Sequence, residues 1–127
     1  MQIKNVAIID DDPIFVMIAK RIFEVNQLCD EFHLFKNGQL ALDFILEKVN
    51  QQQTLPELFL LDINMPVMDG WEFLDALEQI ENLPPIKLFM VTSSIDPKDQ
   101  ERARQYKLVK DFVVKPITLE AIQKLID

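Results

Sequence analysis

The chain has 127 residues, 49% of them apolar and 27% charged, with a formal net charge of −8. That is the make-up of one globular domain, and its acidity argues against nucleic acid or an anionic membrane as the main partner, since both need a basic surface. The single Cys29 excludes an internal disulfide, no apolar run reaches the length of a membrane span, and the opening MQIKNVAIID lacks the long apolar core of a signal peptide. A cytoplasmic location and no membrane insertion are therefore expected.

In chain order, VAIID (6–10) reads as a buried strand. DDPIFVMIAKRIFEV (11–25) reads as a helix capped by Asp12, with Pro13 in its first turn and Phe15, Ile18, Ile22 and Val25 on one face. EFHLF (31–35) is a weaker strand, and Asn37 caps a helix whose stripe is Leu42, Ile45, Leu46 and Val49. The polar NQQQTLP (50–56) is a loop. LFLLD (58–62) is the third strand, and Asp69 with Glu72 forms a capping box before a helix that buries Trp71, Leu74, Leu77 and Ile80. IKLFMVT (86–92) is the fourth strand, and Asp96-Pro97 opens a mostly polar helix. DFVVK (111–115) is the fifth strand, and Thr118 caps a last helix with Leu119, Ile122 and Ile126 inward. Five strands alternating with helices imply an α/β domain with a parallel sheet covered on both faces.

The acids fall at strand ends. Asp10 and Asp11 follow the first strand, and Asp62 ends the third. A buried charge is costly unless something pairs with it or coordinates it. In a parallel sheet the carboxyl ends share one edge, and ligands bind where the strand order reverses. If the order is 2-1-3-4-5, the three carboxylates converge. Together they repel one another and call for a cation, and an all-oxygen cluster with few protein ligands suits Mg²⁺. Thr92, followed by Ser93 and Ser94, and Lys115, followed by Pro116, end the fourth and fifth strands at the same edge. A carboxylate, a metal, a hydroxyl and an ammonium are the parts of a phosphoryl-transfer site, with the carboxylate as nucleophile.

AIIDDDP (7–13), NGQLAL (37–42), LLDINMPVMDG (60–70), LFMVTSS (88–94) and DFVVKP (111–116) give the chain a resemblance to the receiver domain of two-component response regulators over essentially its whole length, 1–127. The resemblance implies a flavodoxin-like (βα)5 three-layer sandwich of strand order 2-1-3-4-5. It implies that Asp62 is the phosphoacceptor, served by a sensor histidine kinase or a histidine phosphotransfer protein. Asp11 matches a direct Mg²⁺ ligand, Asp10 a ligand acting through water, and Asn64 the position whose backbone carbonyl binds the metal. Thr92 matches the switch hydroxyl, Lys115 the lysine that pairs with the phosphoryl group, Lys115-Pro116 a bond that is usually cis, and Phe112 the aromatic switch position. The implied output is a change in the face formed by the fourth helix, fifth strand and fifth helix, read by an unknown downstream protein, and a homodimer formed on activation is compatible with it. The implied chemistry is self-catalysed phosphoryl acceptance and slow hydrolysis, not turnover of a substrate.

Several features admit plainer readings. YKLVKD (106–111) lacks the glycine that many relatives carry before the fifth strand, and the final helix is short. Asp12 and Asp69 read as caps, His33 as a strand residue, and Trp71 and Phe73 as packing residues. Lys98, Arg102, Arg104, Lys107 and Lys110 read as a solvated face, or as the border of the output surface. Asn64 and Ser94 flank the site and would tune the phosphoryl lifetime. Asp62-Ile63-Asn64 also resembles the D-x-D opening of haloacid-dehalogenase-type phosphatases, but Asn cannot serve as the second acid/base. A phosphorylation-independent pseudo-receiver, and a receiver cut from a longer regulator or hybrid kinase, are the remaining alternatives.

Overall fold

A computed structural model describes residues 3–93 and 95–127. The elements are β1 (Ile3–Ile9), α1 (Pro13–Val25), β2 (Cys29–Phe35), α2 (Gly38–Asn50), β3 (Leu58–Leu61), α3 (Gly70–Glu78), β4 (Lys87–Thr92), α4 (Pro97–Arg104), β5 (Val109–Val114) and α5 (Leu119–Ile126). All strand pairs are parallel, in the order β2-β1-β3-β4-β5, which is the expected flavodoxin-like arrangement. No helix among the described residues is long and apolar enough to cross a membrane.

Alternation along the central strands sends successive side chains to opposite faces. Ala7, Ile9, Phe59, Leu61, Leu88 and Met90 meet α2, α3 and Ala103 of α4. Val6, Ile8, Leu58, Leu60, Phe89 and Val91 meet α1 and α5. The central strands are therefore apolar on both sides, and polarity is deferred to their ends.

The five expected caps are present. Asp12 accepts from the amides of Ile14 and Phe15, Asn37 from Leu40, Asp96 from Lys98 and Thr118 from Ala121. Asp69 and Glu72 form the reciprocal box, at 2.8 and 3.1 Å. Each cap satisfies amides that the first helical turn leaves unbonded.

The helix faces differ from expectation in two places, α1 and α2. α1 buries Phe15, Ala19 and Phe23, with Ile22 partly packed, while Ile18 and Val25 are exposed. Most of the α1 sequence is apolar, so two stripes satisfy the helical period, and the one that contains Ala19 is buried. In α2, Leu46 likewise turns outward, while Leu42 and Ile45 are buried. β5 starts at Val109, two residues before its expected start, and an irregularity between Leu88 and Phe89 absorbs the extra residue. The turn before it contains no positive-φ residue, so it needs no glycine.

Candidate functional site

Register places the polar strand ends at one level. Ile9 pairs with Leu61, so Asp10 and Asp62 are the first residues beyond adjacent strands. Their backbones are tied there, the Asp10 amide to Phe35 O and the Asp62 amide to Ile9 O, both at 2.9 Å. Asp62 thus sits one residue past β3 rather than on its last position. Thr92 ends β4 opposite Val114, and the Lys115 amide donates to Thr92 O at 2.7 Å. The Lys115-Pro116 bond is cis, as the resemblance implied.

The side chains converge as expected. Oxygens of Asp10, Asp11 and Asp62 lie within 4.8 Å of one another. Lys115 Nζ stands 2.9 Å from Asp10 Oδ2 and 3.9 Å from Asp62 Oδ2. Asp10 and Asp62 are buried, as is Thr92, while Asp11 is exposed. Burial is the main force raising Asp62, helped by the neighbouring Asp10 carboxylate and opposed by Lys115, and its pKa is pushed up to about 6. Burial also raises Asp10. Asp10 Oδ2 is enclosed, and although the ammonium lies at ion-pair distance, the oxygen has no aligned hydrogen bond. An all-oxygen set with one such under-satisfied buried oxygen fits a hard divalent ion.

The loop between β3 and α3 is held against this edge. The chain has two glycines, and both touch that loop. A Cβ on Gly70 would lie 2.5 Å from the Asp62 carbonyl oxygen, so only glycine permits the close approach sealed by the Gly70 amide on Ile63 O at 2.7 Å. A Cβ on Gly38 would stand 3.0 Å from Met68 O, which the Gly38 amide reaches at 3.0 Å. Val67 has φ of 67° and is spanned by a bond from the Met68 amide to Pro66 O at 2.7 Å. This is a tight three-residue turn, strained for a β-branched residue.

The family model for the response regulator receiver domain matches residues 6–127. The chain belongs to the response regulator receiver domain family. A two-component response regulator from Cytophaga hutchinsonii superposes with a TM-score of 0.88 at 29% identity, covering 98% of this chain and 95% of that one. A probable methanogenesis regulatory protein, FilR2 of Methanothrix harundinacea, is 25% identical over 122 residues, covering 96% of this chain and 78% of its relative. The two-component response regulator ORR1 of japonica rice is 25% identical over 125 residues, and the match takes in 97% of this chain but 54% of the rice protein. The receiver is thus a phosphoryl-accepting signalling domain of the two-component type, a module also found in longer proteins.

Two features of this receiver site were not anticipated. The Phe15 ring lies under Lys115 Nζ, 4.5 Å from the ammonium, and shields one side of it. Asp12 does cap α1, yet its second oxygen also lies 3.8 Å from Lys115 Nζ. Phe112 is half-buried, opposite Met90 and packed on the α3 and α4 side of the sheet. Asn64 is exposed beside the site, His33 lies within β2, and Ser94 lies outside the described residues.

Proposed function

We propose that Asp62 accepts a phosphoryl group from a phosphohistidine on a sensor kinase or phosphotransfer protein. The observation that carries this is the convergence of three carboxylates and Lys115 within ion-pair distance at one sheet edge. A carboxylate oxygen of Asp62 attacks phosphorus, the P–N bond breaks, and its electron pair stays on the imidazole, which is re-protonated. A pKa of about 6 leaves Asp62 largely ionised near neutral pH, so the nucleophile is available.

Asp10, Asp11, Asp62 and the Asn64 backbone carbonyl would hold Mg²⁺, whose charge offsets that of the phosphoryl oxygens. Lys115 pairs with one phosphoryl oxygen, and the Thr92 hydroxyl donates to another. Water attacking the acyl phosphate at phosphorus returns Asp62 to its carboxylate and releases inorganic phosphate, which makes the signal self-limiting. A dianionic group at Asp62 draws Thr92 inward, frees space for Phe112, and biases the face of α4, β5 and α5 toward a second conformation. A downstream protein, or a second copy of the chain, reads that face.

Intact mass after incubation with acetyl phosphate tests this reading. Wild type gains one phosphoryl group with Mg²⁺ and none without it, and Asp62→Asn gains none. Labelling of the Asp62→Asn variant to the wild-type level would move the acceptor elsewhere. No labelling of wild type, under conditions that label another receiver, would make the chain a pseudo-receiver.

A further inference from the structure

The helix that this reading asks to move is packed unevenly. Of α4's residues only Ala103, near its carboxyl end, is buried. Pro97 and Lys98 at the amino end are exposed, and Ile95 just before the helix is 76% exposed. The carboxyl end is different. The Arg102 guanidinium lies 4.4 Å from the centre of the Trp71 ring. Tyr106 stacks on the same indole, with ring centroids 6.0 Å apart and planes 23° from parallel. The Tyr106 hydroxyl donates to Asp75 Oδ1 at 2.7 Å.

Trp71 is itself buried in the core and follows Gly70, whose backbone is packed on that of Asp62. The contact therefore ties α4 to the part of the molecule that carries the acceptor.

We infer that α4 is a lever pinned at its carboxyl end, with Arg102 and Tyr106 clamped on Trp71 and Asp75 as the pivot, and that its amino end, which begins five residues after Thr92, is the part that swings. The pin is a property of the resting protein. Its role in switching rests on the proposed phosphorylation of Asp62. A helix of this length, about 12 Å, moves as a rod. Fixing one end converts a small displacement at Thr92 into a rotation, not a translation, of the output face. Arg102 and Tyr106 act through position and touch no reacting group.

Amide hydrogen exchange and heteronuclear NMR on the full chain test the inference, using wild type, Arg102→Gln, Tyr106→Phe and the double variant. All are measured in Mg²⁺, with and without beryllofluoride as the phosphoryl mimic. In Mg²⁺ alone, each single variant should speed exchange at residues 101–106 by about three-fold and the double variant by about ten-fold, with the middle of α3 unchanged. With beryllofluoride, wild type should show its largest α4 shifts at Ile95, Asp96, Lys98 and Asp99, and a small shift of the Trp71 indole. The double variant should extend those shifts to the indole and residues 101–106. Unchanged exchange at 101–106 in the double variant overturns the pin. A wild-type indole shift as large as those at the amino end overturns the pivot. If beryllofluoride shifts nothing anywhere, the Asp62 reading fails and the lever's role in switching falls with it, while exchange in Mg²⁺ alone still decides the pin.

Discussion

Two neighbouring parts of the domain are built to opposite specifications. All four residues of β3 are buried, and α3 buries Gly70, Trp71, Phe73, Leu74 and Leu77. None of the six residues of β5 is fully buried, and α4 buries only Ala103. Asp62, the proposed nucleophile, directly follows β3 in the first part, and Phe112, the proposed switch position, belongs to the second. The proposed phosphoryl transfer to Asp62 needs that side chain held to a fraction of an ångström against its partners, which dense packing supplies. A conformational signal needs an element with little to lose by moving, which sparse packing supplies. In the proposed function, chemistry and readout are separated by packing density, and Lys115, following β5 yet paired with Asp10, joins the two.

The densely packed part is most vulnerable at Gly70. Gly70→Ala places a methyl group against the Asp62 carbonyl and cannot be relieved by a flexible side chain. Urea denaturation should show a loss of about 3 kcal/mol or more, with phosphorylation of the surviving fold impaired. A variant as stable as wild type would mean that the loop is not held as described.

Lys115→Ala should come next. Without divalent metal at pH 7 it leaves Asp10 and Asp62 buried without their ammonium, at a cost of about 2–3 kcal/mol. Saturating Mg²⁺ should restore most of this, because binding to the folded state adds stability by mass action. Acceptance of beryllofluoride without the shifts at α4 would then show that Lys115 links the two parts. Normal switching in this variant would remove that role.

Asp62→Asn works in the opposite direction. The folded-state pKa of Asp62, about 6, lies above its ordinary 3.8, so the native protein binds this proton more tightly than the unfolded chain does. The associated stability is fully present below about pH 4 and is lost as pH rises toward 6. In EDTA at pH 7 the Asn variant should therefore be more stable than wild type by about 2 kcal/mol, and the fall between pH 4 and 6 should flatten. An unchanged pH profile would show that Asp62 is not desolvated.

How far the sequence could be read follows from the same packing argument. Strand ends, caps and the Asp10–Asp62–Lys115 convergence were legible because each depends on local pattern plus sheet order. The inward face of α1 was not, since Ile14, Met17, Ile18 and Val25 are apolar yet exposed. Nothing in their periodicity marks the stripe of Phe15, Ala19 and Phe23 as the buried one. The Trp71–Tyr106 stack and the Phe15–Lys115 contact were also invisible. Each joins residues far apart in the chain whose meeting is set by how helices and loops settle after the sheet forms. Trp71 could be read as a packing residue, but its partners could not.

The smallest effect is expected where the two parts can be compared with one residue type. Ile63 follows β3 by two residues and is buried, while Ile95 follows β4 by three and is 76% exposed. Burial, not hydrophobicity, determines what an isoleucine contributes to stability. Ile95→Ser should therefore leave the urea midpoint of the resting protein within about 0.5 kcal/mol of wild type. A loss above about 1 kcal/mol would mean that the amino end of α4 is anchored by packing after all. In that case α4 would be held at both ends, and the contrast between a fixed part and a movable one would have to be redrawn around β5 alone.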